Sequence, residues 1–342
     1  MHSGSHPVST FGATILDATD LRLSREEKTF FRDADPFGFI LFARNIESPD
    51  QVRALCDEMR QCVGRAAPIT IDQEGGRVQR LRAPDWTQWV PPLDEVARAG
   101  ARAGDAMYLR YRLIAAELRD LGIDSNCAPL VDLVSETTHP FLRDRCYGTD
   151  KVNVAAIGRA VADGLLDGGV LPVVKHIPGH GRAAADSHHE LPCVSAGPEA
   201  LRATDFAPFA ALNDLPMAMT AHVVFEAIDD VPATLSPGMI DVIRNQIGFD
   251  GLLMTDDISM KALRGTPGQV ARQSLEAGCD VVLLCNATLE TRRAVADVSG
   301  RLSAGGQRRA ERALGARKTP DLVDIPALKA KLAEMRAGPG ND

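Results

Sequence analysis

A single-domain (β/α)₈ barrel is the fold class this sequence predicts, on three observations. Short apolar or β-branched runs alternate eight times with amphipathic helical stretches. Each run ends in polar residues: Asp17, Arg44, Asp72, Asp132, Lys175 with His176, His222, Asp256 and Asn286. The length of 342 residues suits one α/β barrel. The rival is a doubly wound open sheet, which the absence of a GxGxxG or P-loop after the first strand disfavours. A parallel barrel collects its strand C-termini on one face, where TIM-barrel enzymes place their chemistry, so the polar ends predict one pocket.

The first strand is expected at 13–16. Ser24 then caps a helix whose first turn carries Glu26 and Glu27, which suits the helix dipole. The second strand, 38–42, precedes Ser48-Pro49, a cap-plus-N1 signal for a helix reaching Cys62. A third strand at 68–71 delivers Asp72-Gln73-Glu74-Gly75-Gly76-Arg77. A longer connection holds Trp86, Trp89 and Pro91-Pro92, with packing the expected role of the tryptophans. A helix from about 105 to 120 stops at Gly122, and the fourth strand runs 125–131. A helix at 150–166 returns to the fifth strand, 170–174. Helical residues 199–212 precede the sixth strand, 217–220, and a short helix at 236–247 the seventh, 251–255. A helix at 269–277, the eighth strand at 280–284 and a helix at 289–302 complete the series, leaving a charged, Gly-containing tail from about 303.

Composition narrows the class of function. Hydrophobic residues make up 45% and charged residues 25%, as in ordinary globular proteins. A net charge of −8 argues against nucleic acid or an anionic membrane as partner. The basic stretch Arg308 to Lys318 is interleaved with Glu311 and reads as a solvated helix face. Seven cysteines without CxxC spacing predict packed thiols in a reducing compartment. The N-terminus lacks an apolar signal core and no run reaches membrane-spanning length, so a cytoplasmic location is expected.

The richest chemistry follows the fifth strand. Four of the eight histidines fall between His176 and His189, with Lys175 and Asp186 among them. Pro178, Gly179 and Gly181 open a loop there. With Asp72, Glu74, Asp132, Asp256, Asp257, Arg77, Arg80, Arg145 and His222, the pocket mixes carboxylates and cations as a hydroxyl-rich substrate requires. No Ser stands in a nucleophile elbow and no Cys has an evident base partner. His176, His180, Asp186, His188 and His189 are eligible zinc ligands, but HExxH is absent and Lys175 competes as a cation. Each residue alone has a plainer reading. Asp256 would cap a turn, Asp186 would form an Asx turn, His188 would be a solvated loop residue, and Arg145 would bridge Asp144 or Asp150.

Taken together, four motifs are specific. Ile71-Asp72-Gln73-Glu74-Gly75-Gly76-Arg77-Val78-Gln79-Arg80, Lys175-His176-Ile177-Pro178-Gly179-His180-Gly181, Asp186-Ser187-His188 and Thr255-Asp256-Asp257-Ile258-Ser259-Met260 resemble glycoside hydrolase family 3. The likeness is to its single-domain bacterial β-N-acetylglucosaminidases of cell-wall recycling. It runs in order from about Ile15 to Asn286, and leaves no room for the sandwich-like second domain of many family 3 β-glucosidases. Ile177 stands where Phe is usual, and Thr255 and Ile258 replace Ser and Leu, changes of packing rather than chemistry.

The resemblance implies a retaining, exo-acting β-N-acetylhexosaminidase acting on GlcNAc-containing muropeptides. Asp256 would be the nucleophile and His188, paired with Asp186, the acid/base. Most retaining enzymes use two carboxylic groups about 5 Å apart. A His is chemically suitable because imidazole titrates near neutrality and a carboxylate favours its charged form. Asp72, Arg80, Arg145, Lys175 and His176 would bind the sugar. No cofactor or metal is expected, and the substrate is a small molecule taken up by a monomer. The Gly and Ala content of 179–185 predicts a loop that closes over bound sugar. Three alternatives stay open: transfer to phosphate at the same site, a catalytically dead sugar-binding barrel, and a metal hydrolase.

Overall fold

In the computed structural model, which describes residues 10–184 and 191–336, eight strands form one parallel sheet. They are β1 Gly12–Asp17, β2 Pro36–Leu41, β3 Ile69–Ile71, β4 Ser125–Asn126, β5 Leu171–Ile177, β6 Met217–Thr220, β7 Leu252–Met254 and β8 Val282–Leu284. Their order is β7-β6-β5-β4-β3-β2-β1-β8, so each strand neighbours the next in sequence. Between β7 and β8 the sheet closes through the parallel bridge Met254–Val281, with Thr255 N donating to Val281 O and Asp280 N to Leu253 O. The fold is the predicted (β/α)₈ barrel.

Side-chain alternation along the strands builds two cores. Ile15, Ile40, Val173, Met219, Met254 and Leu283 form the barrel interior. Leu16, Leu41, Val174, Ala218, Leu253 and Leu284 point the other way and pack against helix residues such as Val52, Leu55 and Met59. Burying each such side chain stabilises the fold by about 1.5–3 kcal/mol.

Helix starts follow the sequence signals. Ser24 and Glu27 make a full capping box for Arg25–Ala34, Ser48 caps Pro49–Val63, and Asp150 caps Lys151–Asp167. The helical residues expected at 199–212 split into Pro198–Ala203 and Ala207–Ala210, and those at 236–247 change to a π-turn at Val242–Gln246.

Several elements differ from expectation for identifiable reasons. The regular strand β4 ends at Asn126 rather than at 131: Pro129 has no N–H to donate, although Cys127 N still donates to Ile71 O and Val131 N to Lys175 O at 2.9 Å around it. β5 continues through Lys175 and His176 to Ile177, which pairs with Thr220. Those polar residues were expected beyond the strand, but inside the barrel mouth Lys175 meets Asp72 and Glu74 and His176 meets Asp132. The connection through Pro91-Pro92 contains a helix, Pro92–Ala99, because proline is well placed in a first turn. The stretch expected as a tail holds two helices, Ala304–Gly315 and Ile325–Arg336. In the first, Ala310 and Ala313 join the barrel interior, while Arg309 reaches Asp250 at 3.1 Å and Asp280 at 3.2 Å, ahead of β7 and β8. That helix therefore seals the N-terminal end of the barrel. No described helix is long and apolar enough to cross a membrane.

Candidate active site

The strand C-termini open into a cavity of about 420 Å³, lined by Asp72, Arg80, Arg145, Lys175, His176 and Asp256 among others. Its first wall comes from β3 and the segment after it. Beyond Asp72 the chain makes a hairpin, Gln73–Gly75 against Val78–Gln79. Its turn needs positive φ at Gly75 and Gly76, +114° and +59°. The hairpin folds Asp72, Glu74 and Arg80 towards β5. Asp72 meets Lys175 Nζ through Oδ1 at 3.0 Å and Arg80 Nη2 through Oδ2 at 2.9 Å. Glu74 Oε1 lies 2.7 Å from Lys175 Nζ, and its two oxygens accept from Arg145 Nε and Nη2 at 2.9 and 2.8 Å.

Two carboxylates thus share three cations, leaving one net positive charge. Desolvation pushes the Asp72 carboxyl up, but Lys175 and Arg80 outweigh it and hold the group well below its ordinary range. For Glu74 the same opposition, with Arg145 and Lys175 on the winning side, leaves a pKa of about 2. Burial pulls the Lys175 and Arg145 pKa values down, yet the carboxylates beside them raise both above normal. Asp72, Glu74, Lys175 and Arg145 are therefore all ionised at neutral pH.

The second wall is built on histidines. His176 Nδ1 lies 2.8 Å from Asp132 Oδ2, which fixes the proton on that nitrogen. Asp132 also accepts from His180 N at 2.7 Å. The His180 ring stands edge-on to His176 at 5.7 Å, and burial lowers its pKa to about 4, so it is neutral.

Asp256 and Asp257 follow β7 and are tuned in opposite directions. Asp256 Oδ1 accepts from Asp257 N at 2.8 Å. Desolvation raises its pKa, but His222, His176, that N–H and Lys175 bring it below the usual carboxylate value. The Asp257 carboxylate accepts from Ser259 N, Ser259 Oγ and Cys285 N at 3.0, 2.7 and 3.0 Å. Desolvation still dominates there and raises its pKa to about 6. His222 Nε2 donates to Asp257 O at 3.0 Å, and its Nδ1 meets Thr234 Oγ1 at 2.7 Å.

Six of the expected site residues, Asp72, Arg80, Arg145, Lys175, His176 and Asp256, therefore surround one cavity. Asp186 and His188, the expected proton-handling pair, lie outside the described residues, as does His189. Among the described residues no group of His, Cys, Asp or Glu could hold a metal ion.

The expectation that all polar strand ends face the pocket needs correction. Asp17, Arg44, Asp132 and His222 are absent from its lining. They support it instead. Asp17 binds Arg44, Arg292 at 2.7 Å and Asn286 N at 2.6 Å, while Asp132 holds His176 and His222 holds the Asp257 peptide. Arg145 does not bridge Asp144 or Asp150, since Glu74 offers a two-oxygen partner away from water. His180, one of the eligible zinc ligands, is buried against His176. Trp89 is packed beneath the hairpin, as expected of it. The rim residues Phe42, His139, Phe141 and Met260 were not anticipated. Nothing in their local sequence distinguishes them from ordinary loop residues.

The profile described as glycosyl hydrolase family 3 N terminal domain matches residues 13–313. A β-hexosaminidase from Alkalilimnicola ehrlichii is 39% identical over 287 residues, covering 80% of this chain and 81% of that protein. NagZ from Neisseria gonorrhoeae superposes with a TM-score of 0.83 at 29% identity, covering 96% of each chain. A family 3 β-N-acetylglucosaminidase from Paenibacillus gives 0.79 at 32% identity over 97% of this chain and 63% of its own.

Proposed function

The chain belongs to glycoside hydrolase family 3, and from that premise we propose an exo-acting retaining β-N-acetylhexosaminidase that releases terminal β-linked N-acetylglucosamine from muropeptide fragments. In this reading an Asp256 oxygen attacks the anomeric carbon while the bond to the leaving oxygen breaks. His188 supplies the proton to that oxygen, oriented by Asp186. A water that gives its proton back to His188 then attacks the same carbon and frees Asp256. Asp72 and the Nε2 of His176, whose proton sits on Nδ1 towards Asp132, accept hydrogen bonds from sugar hydroxyls, and Lys175 and Arg80 donate. Arg145 keeps Glu74 and Lys175 in place around them. A cytoplasmic role in peptidoglycan recycling goes with this substrate.

The contrast between the adjacent carboxylates carries the reading. Asp256 borders the cavity with a depressed pKa, so it is a ready anionic nucleophile. Asp257 has both oxygens engaged by Ser259 and Cys285. The names of the relatives supply the sugar, and the proton role of His188 is what the resemblance of Asp186-Ser187-His188 to the family motif implies.

The test is steady-state cleavage of a chromogenic β-GlcNAc glycoside in phosphate-free buffer, for the natural chain beside Asp256→Ala. Turnover by the natural chain that the substitution abolishes is the expected result. If the natural chain turns over only after phosphate is added, glycosyl transfer to phosphate replaces hydrolysis. No turnover in either buffer overturns the assignment.

A further inference from the structure

We propose that the C-terminal helix belongs to the sugar-binding machinery, with Arg336, Glu95 and Arg110 acting as positioning residues for Glu74. The inference rests on the reading above, in which Asp72, Arg80 and Lys175 meet the sugar and Arg145 and Glu74 hold Lys175 in place.

Arg110 lies within the helix Ala103–Asp120 and is fully buried. Its Nη1 donates to Glu95 Oε2 at 3.0 Å. Its Nη2 donates to the backbone oxygens of Glu74 and of Val90, the latter at 2.8 Å. The guanidinium comes so near the hairpin that a Cβ on Gly75 would lie 1.9 Å from Nη2. Arg110 thus occupies the space a side chain would take and fixes the peptide that carries Glu74. The carboxylate of that same residue is what draws Lys175 and Arg145 together.

Glu95 is held from its other side by the C-terminal helix. Arg336 Nε and Nη2 lie 2.7 Å from Glu95 Oε1 and 2.7 Å from Oε2. Both guanidinium groups also lie by the Trp89 ring, Arg110 at 5.4 Å and Arg336 at 5.8 Å from its centroid. A path of direct contacts therefore runs from Arg336 through Glu95 and Arg110 to the Glu74 peptide. Without Arg336, Glu95 gains freedom to turn towards water, and its hold on Arg110 loosens. The hairpin then shifts with Arg110. Small displacements of groups that position a substrate carry large kinetic effects.

Arg102 provides the control. It clamps the same helix, donating to Met335 O at 2.9 Å, without touching Glu95. The experiment measures KM and kcat on a chromogenic β-GlcNAc glycoside, with thermal midpoints, for the natural chain and Arg336→Ala, Arg336→Lys, Glu95→Gln and Arg102→Ala. Arg336→Ala and Glu95→Gln are expected to raise KM about three- to thirtyfold, with kcat changed less. Arg336→Lys restores most of the loss, and Arg102→Ala lowers the midpoint while leaving KM unchanged. An unchanged KM in the first two variants, or an equal rise in Arg102→Ala, overturns the proposal. Crystal structures of the natural chain and Arg110→Lys read the Glu74–Lys175 and Glu74–Arg145 separations whatever the substrate. Lengthened separations in the variant support the positioning role and unchanged ones overturn it. Failure of the natural chain to cleave the glycoside sinks the functional reading, while the two structures still decide this one.

Discussion

Lys175 Nζ lies 2.7 Å from Glu74 Oε1, with both side chains almost sealed from water. The pair joins a barrel strand to the hairpin after the third strand, so electrostatics and active-site shape depend on the same contact.

Lys175→Met removes the cation that Asp72 and Glu74 share. The expected loss of stability is about 3–5 kcal/mol, the usual result of leaving a buried charge without its partner, read by urea unfolding. Glu74→Gln in the same chain should make the double variant less damaged than the two single losses summed, by about 1–3 kcal/mol of coupling. Strict additivity would mean that the pair does not interact.

Asp256→Asn and Asp257→Asn separate chemistry from positioning. The first is expected to lower kcat roughly 10⁴-fold in a folded protein, as loss of a nucleophile does. The second weakens the ties to Ser259 and Cys285 and should cost about tenfold, the scale of one or two hydrogen bonds. Equal losses in both would contradict the assignment of Asp256 alone as nucleophile.

Stability should respond to pH with two opposite signs. Glu74 has a pKa of about 2 in the fold against an ordinary 4.5, so its contribution is present above 4.5 and disappears as pH falls through 2. Glu74→Gln should therefore flatten the acid limb. Asp257, raised from 3.8 to about 6, favours the folded state while protonated. Its contribution is full below 3.8 and is lost as pH rises through 6, so Asp257→Asn should remove that decline. Unfolding midpoints measured from about pH 2 to 8 check both slopes.

Ser24→Ala is a fold-only control. Ser24 and Glu27 close the first helix by a reciprocal capping box, well away from the cavity lining. The expected cost is about 1 kcal/mol of stability in denaturant titration. Kinetic constants per folded molecule should not change.

The barrel was legible because its signals are local. Ser24, Ser48 and Asp150 cap helices through contacts within three residues, and the apolar runs repeat often enough to count eight strands. The C-terminal helices were only partly legible: Arg308 to Lys318 reads as a solvated helix face, but that Ala310 and Ala313 of Ala304–Gly315 turn into the barrel end is decided by the fold. Six candidate residues line the cavity: Asp72, Lys175, His176 and Asp256 stand at strand ends, which a parallel barrel gathers on one face, while Arg80 and Arg145 come from the connections between strands. Their partners were harder. Arg145 and Glu74 are 71 residues apart, and no local pattern tells a carboxylate which of several arginines it will meet.

What the sequence determined by itself is the fold class, the order of its strands and the residue types at the barrel mouth, since periodicity and capping act over a few residues. Only the tertiary structure decided that Glu74 is a tether, that Asp132 and His222 work from behind the cavity, and that Asp256 and Asp257 titrate in opposite directions. Those outcomes depend on desolvation and on charges brought together from distant segments. Both are properties of the packed barrel rather than of any stretch of chain.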